Sequence, residues 1–198
     1  MEQQSLNQGL LRGKAAGEPR PSHLNHGTAY FSFPLEVERL SGAADILNVV
    51  VAQRTLEACP VAPGRIYEVV GEVRSFNNRS GVGGRLIITF FAKELIPADG
   101  PHANHLELQG TLCKVPVLRR TPLGREICDL LLAVNRRYGR ADYLPCIAWG
   151  ALARVCGDME VGDILRLTGR LQSRVYRKLV NGTEEERVAF EVSILTLD

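Results

Sequence analysis

Two groups of arginines mark the second half of the chain. Arg119, Arg120, Arg125, Arg136, Arg137 and Arg140 crowd one stretch, and Arg170, Arg174, Arg177 and Lys178 form another. A guanidinium forks a phosphate through parallel N–H donors and also lies flat on a nucleobase, so arginines grouped in this way suit a nucleic-acid groove. Their distribution carries the reading, because a net charge of +2 does not by itself call for a polyanion. Through residue 105 there are 10 basic and 10 acidic residues; from 106 onward there are 14 and 12, and nearly all the later cations are arginine. On solvated loops the same residues would do no more than keep the chain in solution. They form a groove only where strands and turns place them on one face.

Other chemistries find little support. His23-Leu24-Asn25-His26 and His102-Ala103-Asn104-His105 each pair histidines three apart, but both lie in linker-like sequence, and no metal site is expected. Gly81-Val82-Gly83-Gly84 lacks the Gly-Lys-Ser/Thr ending of a phosphate loop and reads as a β-hairpin turn. Asn181-Gly182 is a second hairpin-tip signal. No Ser-His-Asp, Cys-His or paired-carboxylate arrangement has a motif around it, so neither an enzyme nor a cofactor is expected. Cys59, Cys113, Cys128, Cys146 and Cys156 are odd in number and contain no Cys-x-x-Cys pair, which reads as buried thiols in a reducing compartment. The longest apolar runs, such as Ile46–Ala52, fall far short of the roughly 20 residues that span a bilayer. Met1–Leu6 lacks the features of a signal peptide, and a cytoplasmic location without membrane contact is the expectation.

The chain repeats itself. Gly64–Ser75 lines up with Gly162–Ser173 at a displacement of 98, both glycines and the alternating apolar positions matching. Ala44-Asp45-Ile46-Leu47 parallels Ala141-Asp142-Tyr143-Leu144 at 97, as Gly13 and Gly27 parallel Gly110 and Gly124. Downstream, Arg85 to Leu95 parallels Arg187 to Leu197, so short insertions account for the changing offset of a duplicated domain. Short, β-branched, alternating segments separated by Gly and Pro predict antiparallel strands in a small barrel. In the second copy strands are expected near 106–116, 126–136, 143–149, 164–176 and 187–197, with a helix over Ala151–Cys156 stopped by Gly157. Five strands with a helix between the third and fourth is the OB arrangement, which binds oligonucleotides on its face and in its loops. The expected fold is all-β, two tandem five-stranded OB barrels. In the first copy the helix at Arg54–Cys59 is truncated by Pro60 and Pro63, the opening strand falls around Gln8–Lys14, and Lys14–His26 is expected to be a mobile loop. The domain reading is 1–96 for a degenerate first barrel, partly mobile over 1–26, 97–105 for a linker, and 106–198 for the second barrel.

The second copy resembles the bacterial single-stranded DNA-binding protein family over essentially its whole length. The resemblance lies in an ordered set: Gly110-Thr111-Leu112, Arg120-Thr121-Pro122-Leu123-Gly124, Leu132-Ala133-Val134-Asn135-Arg136, Ile147–Ala153 and Gly169–Tyr176. The family places aromatics at four points, which correspond to Tyr138, Tyr143, Trp149 and Tyr176. All four are aromatic here, although aromatics make up only 6% of the chain. Bases stacking on such rings contribute roughly 1–3 kcal/mol each. Arg120, Arg125, Arg136, Arg137, Arg170, Arg174 and Lys178 flank the same strands and are the expected phosphate contacts. In the first copy the equivalent positions are Ser41, Ile46, Ala52 and Asn78, none aromatic, while Phe31, Phe33, Phe90 and Phe91 read as core. The first copy is thus expected to lack the stacking surface and to serve an auxiliary or pairing role. The resemblance implies sequence-tolerant binding of single-stranded DNA in replication, recombination or repair. It also implies a homodimer, since family members commonly assemble four OB domains, and replication or repair proteins as partners. Thr196-Leu197-Asp198 directly follows a strand, where family members carry an acidic tail, so tail-mediated recruitment is not expected. The rival readings are a primosomal adaptor of the same fold acting mainly through protein partners, and a protein-binding structural module.

Overall fold

The computed structural model of the chain describes residues 6–81 and 84–198. Met1–Ser5 of the N-terminal reading and Val82 and Gly83 of the glycine-rich turn lie outside the described residues. The first copy contains β1 (Asn7–Ala15), β2 (Arg20–Asn25), β3 (Thr28–Glu38), β4 (Ala44–Ala52), α1 (Gln53–Ala58), β5 (Ile66–Asn77) and β6 (Leu86–Pro97). The second contains β7 (Ala103–Leu112), β8 (Val117–Arg120), β9 (Glu126–Asn135), a 3-10 turn (Arg137–Gly139), β10 (Ala141–Trp149), α2 (Ala151–Gly157), β11 (Ile164–Val180) and β12 (Thr183–Leu197). By compactness, Asn7–Arg74 and Thr89–Leu106 form one unit, and Ser75–Ile88 and Glu107–Asp198 belong to the other.

Each copy closes into a five-stranded barrel. In the first the order is β3-β4-β6-β5-β1, and β3 returns to β1 through Lys14 opposite Glu36. In the second it is β7-β11-β12-β10-β9, and β9 returns to β7 through Thr111 opposite Ala133. Period-two alternation makes this possible, since every second residue turns inward. Cys128, Leu130, Leu132 and Val134 of β9 meet Leu144, Cys146 and Ala148 of β10 in the core. The fold is two tandem OB domains, each with a short helix after its third barrel strand.

The repeat extends to atomic detail. Gly71 and Gly169 occupy one place in the two barrels: an added Cβ would stand 2.0 Å from the Phe91 carbonyl oxygen in one and 2.5 Å from that of Ser193 in the other. No side chain fits such an approach of neighbouring backbone, so both positions require glycine. Arg39 with Asp45, and Arg136 with Asp142, form the same bidentate ion pair at the same turn, and both carboxylates are fully buried.

The structure departs from expectation at three places. The segment Lys14–His26 is not a loop throughout, because Arg20–Asn25 pairs with β3 as β2 and turns at His26-Gly27. Its counterpart β8 pairs with β9 and is likewise absent from the expected strands. The segment between the barrel strands is shorter than 97–105, since β6 runs through Pro97 and β7 starts at Ala103. Alternation is hidden in both unexpected strands because every residue of β2 and β8 is exposed.

Candidate nucleic-acid interface

The outer face of the second barrel is defined by register. Tyr143, Pro145, Ile147 and Trp149 of β10 stand opposite Ala133, Leu131, Asp129 and Ile127 of β9, all turned away from the core positions between them. On the other side of β10, Ile147 is level with Ser193 of β12, and Ser193 is opposite Arg170 of β11. Moving along β11 from Arg170 in steps of two gives Gln172, Arg174, Tyr176 and Lys178, paired with Glu191, Ala189, Arg187 and Glu185. One face therefore carries Tyr143, Trp149, Tyr176, Arg170, Arg174 and Lys178. Its middle is a closely packed floor, with Ile147, Ser193, Glu191 and Gln172 all buried.

The aromatics stand at the margins of that floor. Trp149 is 38% exposed and Tyr143 46% exposed, large values for rings on a barrel strand. Tyr176 is half-buried on the long β11–β12 arm, and the Arg174 guanidinium lies 5.8 Å from its ring centre. The arm turns at Asn181 (φ 48°) and Gly182 (φ 80°), a two-residue tip that matches the hairpin signal. Tyr138 sits in the β9–β10 turn closed by Arg136 N–H donating to the Arg140 carbonyl at 2.7 Å. It is 96% exposed and holds φ 66°, a left-handed conformation that a tyrosine seldom adopts.

The cations divide into two sets. Arg125, Arg137, Arg140 and Lys178 make no ion pair among the described residues and are exposed, and the Nε of Arg170 is buried without a partner there. Others are already committed to carboxylates. Arg136 donates from Nε at 2.5 Å to Asp142 and lies over the Phe76 ring of the same unit, so it is a structural group and not part of the open face. Arg120 shares Glu126 with Arg154 of α2, on the helix side of the barrel. The hydrogen bond from Arg154, and the charges of both arginines, hold the Glu126 carboxyl below its ordinary range. Arg120 and Arg136 are both expected at phosphate from the sequence, and in the structure each is held by a carboxylate, Glu126 and Asp142 respectively.

Two arginines outside the expected phosphate contacts are on its face. Arg119 of β8 is opposite Ile127, which is opposite Trp149, and its Nε donates to Asp129 at 2.5 Å. Arg187 is opposite Tyr176 and pairs with Glu185 at 2.9 Å. Reading 117–120 as a strand would have selected Arg119 over Arg120, since the two point to opposite faces. Of the cysteines, Cys59, Cys128, Cys146 and Cys156 are buried and Cys113 is half-buried. Burial pushes the Cys156 thiol up to about 11 and raises Cys146 as well, which suits inert core thiols.

The first barrel carries rings on the same outer face at other positions. His23 stacks on Tyr30 with centres 4.8 Å apart, Tyr30 meets Phe91 at 5.7 Å, and Arg74 lies 5.1 Å above the Phe91 ring. Phe33 and Phe90 are core as expected, but Phe31 is half-buried and Phe91 belongs to this outer column.

Residues 103–197 match the model of the Single-strand binding protein family. Single-stranded DNA-binding protein A of Bacillus subtilis (strain 168) is 34% identical over 100 residues, covering 44% of this chain and 58% of that protein. A single-stranded DNA-binding protein of Bacillus cereus is 36% identical over 80 residues, covering 37% of this chain and 47% of that one. The chain thus spans about half the length of the curated relatives it matches. The crystal structure of the wild-type single-stranded DNA binding protein from Thermus aquaticus superposes with a TM-score of 0.79 at 25% identity, covering 98% of this chain and 92% of that one.

Proposed function

Because its second barrel places this chain in the bacterial single-strand binding protein family, we propose that it binds single-stranded DNA without strong sequence preference, in replication, recombination or repair. Bases stack on Trp149, Tyr143 and Tyr176, with Tyr138 reaching in from its turn. Arg125, Arg137, Arg140, Arg170, Arg174 and Lys178 follow the phosphates. The observation that carries this reading is the exposure of Tyr143 and Trp149 on one barrel face, which also carries Arg170, Arg174 and Lys178, the last with no ion pair among the described residues. Rings left open to solvent lose the benefit of burial, and a base laid on each restores it. Sequence tolerance follows because every base has a π face. With two barrels per chain, a homodimer brings four OB domains together, and cytoplasmic replication or repair proteins are the partners.

Titration of the purified full chain into fluorescein-labelled oligo-dT, at low and moderate salt, tests the reading by anisotropy and by quenching of Trp149, the chain's one tryptophan. Tight, salt-sensitive binding with quenching, and much weaker binding to duplex of equal length, is the expected result. Equal affinity for duplex would overturn it and favour the protein-adaptor reading. Sedimentation of the same protein should give the mass of a dimer.

A further inference from the structure

The buried floor of the binding face contains a carboxylate. Glu191 is 6% exposed, and one of its oxygens accepts from Gln172 Nε2 at 3.1 Å and from Arg174 Nε at 3.3 Å. A charge held out of water is costly unless it is paired and hydrogen-bonded, so a residue kept in that state at the centre of a DNA-binding face calls for a reason. The first barrel shows that the fold does not supply it. There the repeat-equivalent residue is Thr89, Gln172 is replaced by Arg74, Arg174 by Phe76 and Tyr176 by Asn78. No carboxylate stands at these four positions of the first barrel, where Arg74 pairs instead with Glu72 of its own strand.

The geometry is that of a holder. Glu191 engages Arg174 through Nε, the donor nearest the stem, which leaves the two terminal nitrogens of the fork without a partner among the described residues and the side chain 45% exposed. Held there, the guanidinium stands 5.8 Å from the Tyr176 ring centre. We propose that Glu191 is a positioning residue which fixes Arg174 beside Tyr176, so that ring and fork act on one nucleotide, the ring on its base and the fork on its phosphate. This rests on the single-strand reading above. An arginine otherwise loses much rotamer freedom on binding, and anchoring it beforehand removes that cost.

The test is a double-mutant cycle on oligo-dT affinity in the full chain, with thermal unfolding run on every variant. Glu191→Gln and Arg174→Ala should each weaken binding roughly fivefold to tenfold, and the double variant should be no weaker than either alone. The cycle of Glu191→Gln with Lys178→Ala should instead be additive. Arg174→Lys, an exposed change that keeps the charge but lacks Nε, should lose as much as Arg174→Ala, and it keeps the proposal testable if Glu191→Gln fails to fold. Additive losses at 191 and 174, wild-type binding by Arg174→Lys, or tighter binding by Glu191→Gln would each overturn the proposal, the last by showing that the carboxylate competes with phosphate for Arg174. If the wild type shows no single-strand preference, the functional reading itself has failed; if it binds, and Tyr176→Ala weakens it while Glu191→Gln does not, only this inference has.

Discussion

The two barrels share a backbone plan and differ in what their aromatic rings touch. In the second, Tyr143 and Trp149 face solvent singly, and among the described residues the four aromatics of the site make no ring–ring contact. In the first, His23, Tyr30, Phe91 and Arg74 form one column in which each group covers the next. The exchange is visible on a single rung: Trp149 opposite Ile127 in the second barrel becomes Ala52 opposite Tyr30 in the first. A ring whose faces are satisfied by its neighbours stabilises the barrel it belongs to, and one left open is available to a ligand. One outer face thus uses its rings for packing, while the other leaves Tyr143 and Trp149 open.

The largest expected effect comes from removing each set in turn. Replacing Tyr143, Trp149 and Tyr176 together by alanine should lower oligo-dT affinity at least a hundredfold, since each stacked base contributes roughly 1–3 kcal/mol. Replacing His23, Tyr30 and Phe91 together should change affinity by less than threefold while reducing stability by about 1 kcal/mol per lost ring contact. Anisotropy and denaturant unfolding measure the two quantities on the same samples. Equal losses of affinity from the two sets would end the contrast between the barrels.

A graft sharpens it. In the background lacking the three second-barrel aromatics, Tyr30→Ile with Ala52→Trp copies the Ile127–Trp149 rung into the first barrel. Affinity should rise about tenfold, the worth of one stacked base. No recovery would mean that the position of the ring is insufficient without the neighbouring cations.

Charge gives a smaller and separable effect. For single strands the salt slope changes by about 0.7 per phosphate contact. Arg137→Ala should therefore flatten the slope of log affinity against log salt by about that amount. Arg120→Ala should leave it nearly unchanged, because Arg120 is already paired with Glu126. Arg136→Ala should act mainly on stability, since it strands the fully buried Asp142. Slopes that fall equally for Arg137 and Arg120 would show that the ion pairs open on binding.

Much of this plan was legible in the residues, and the failures have a common cause. The duplicated spacing of Gly71 and Gly169, and of Asp45 and Asp142, revealed two barrels because steric and buried-charge requirements leave few substitutes at those positions. Tyr143 and Trp149 come from the family resemblance, and their even spacing along β10 is why the fold puts both on one face. What the sequence concealed was partnership. Arg136 and Arg120 look like Arg137 and Arg125 along the chain, and only the fold shows which carboxylate each one meets. Strands β2 and β8 were missed for a related reason: with no buried face they carry no alternation to read, and their pairing comes from the neighbouring strand.

The smallest effect concerns Tyr138, and it should appear with opposite signs in two measurements. Tyr138 (φ 66°, ψ 34°) and Gly139 (φ 69°) occupy a pair of left-handed positions where Asn-Gly is the favoured choice. Left-handed backbone costs an ordinary residue roughly 1–2 kcal/mol, much of which asparagine avoids. Since Tyr138 is 96% exposed, packing does not offset that strain. Tyr138→Asn should therefore raise stability by about 0.5–1 kcal/mol and weaken oligo-dT binding severalfold, as a stacking ring is lost from the edge of the face. The first barrel is the control, because its equivalent residue is Ser41, next to Gly42 at φ 84°, and Ser41→Asn there should leave affinity unchanged. A gain in stability without a loss of binding would remove Tyr138 from the site; losses in both would show that the ring supports the turn.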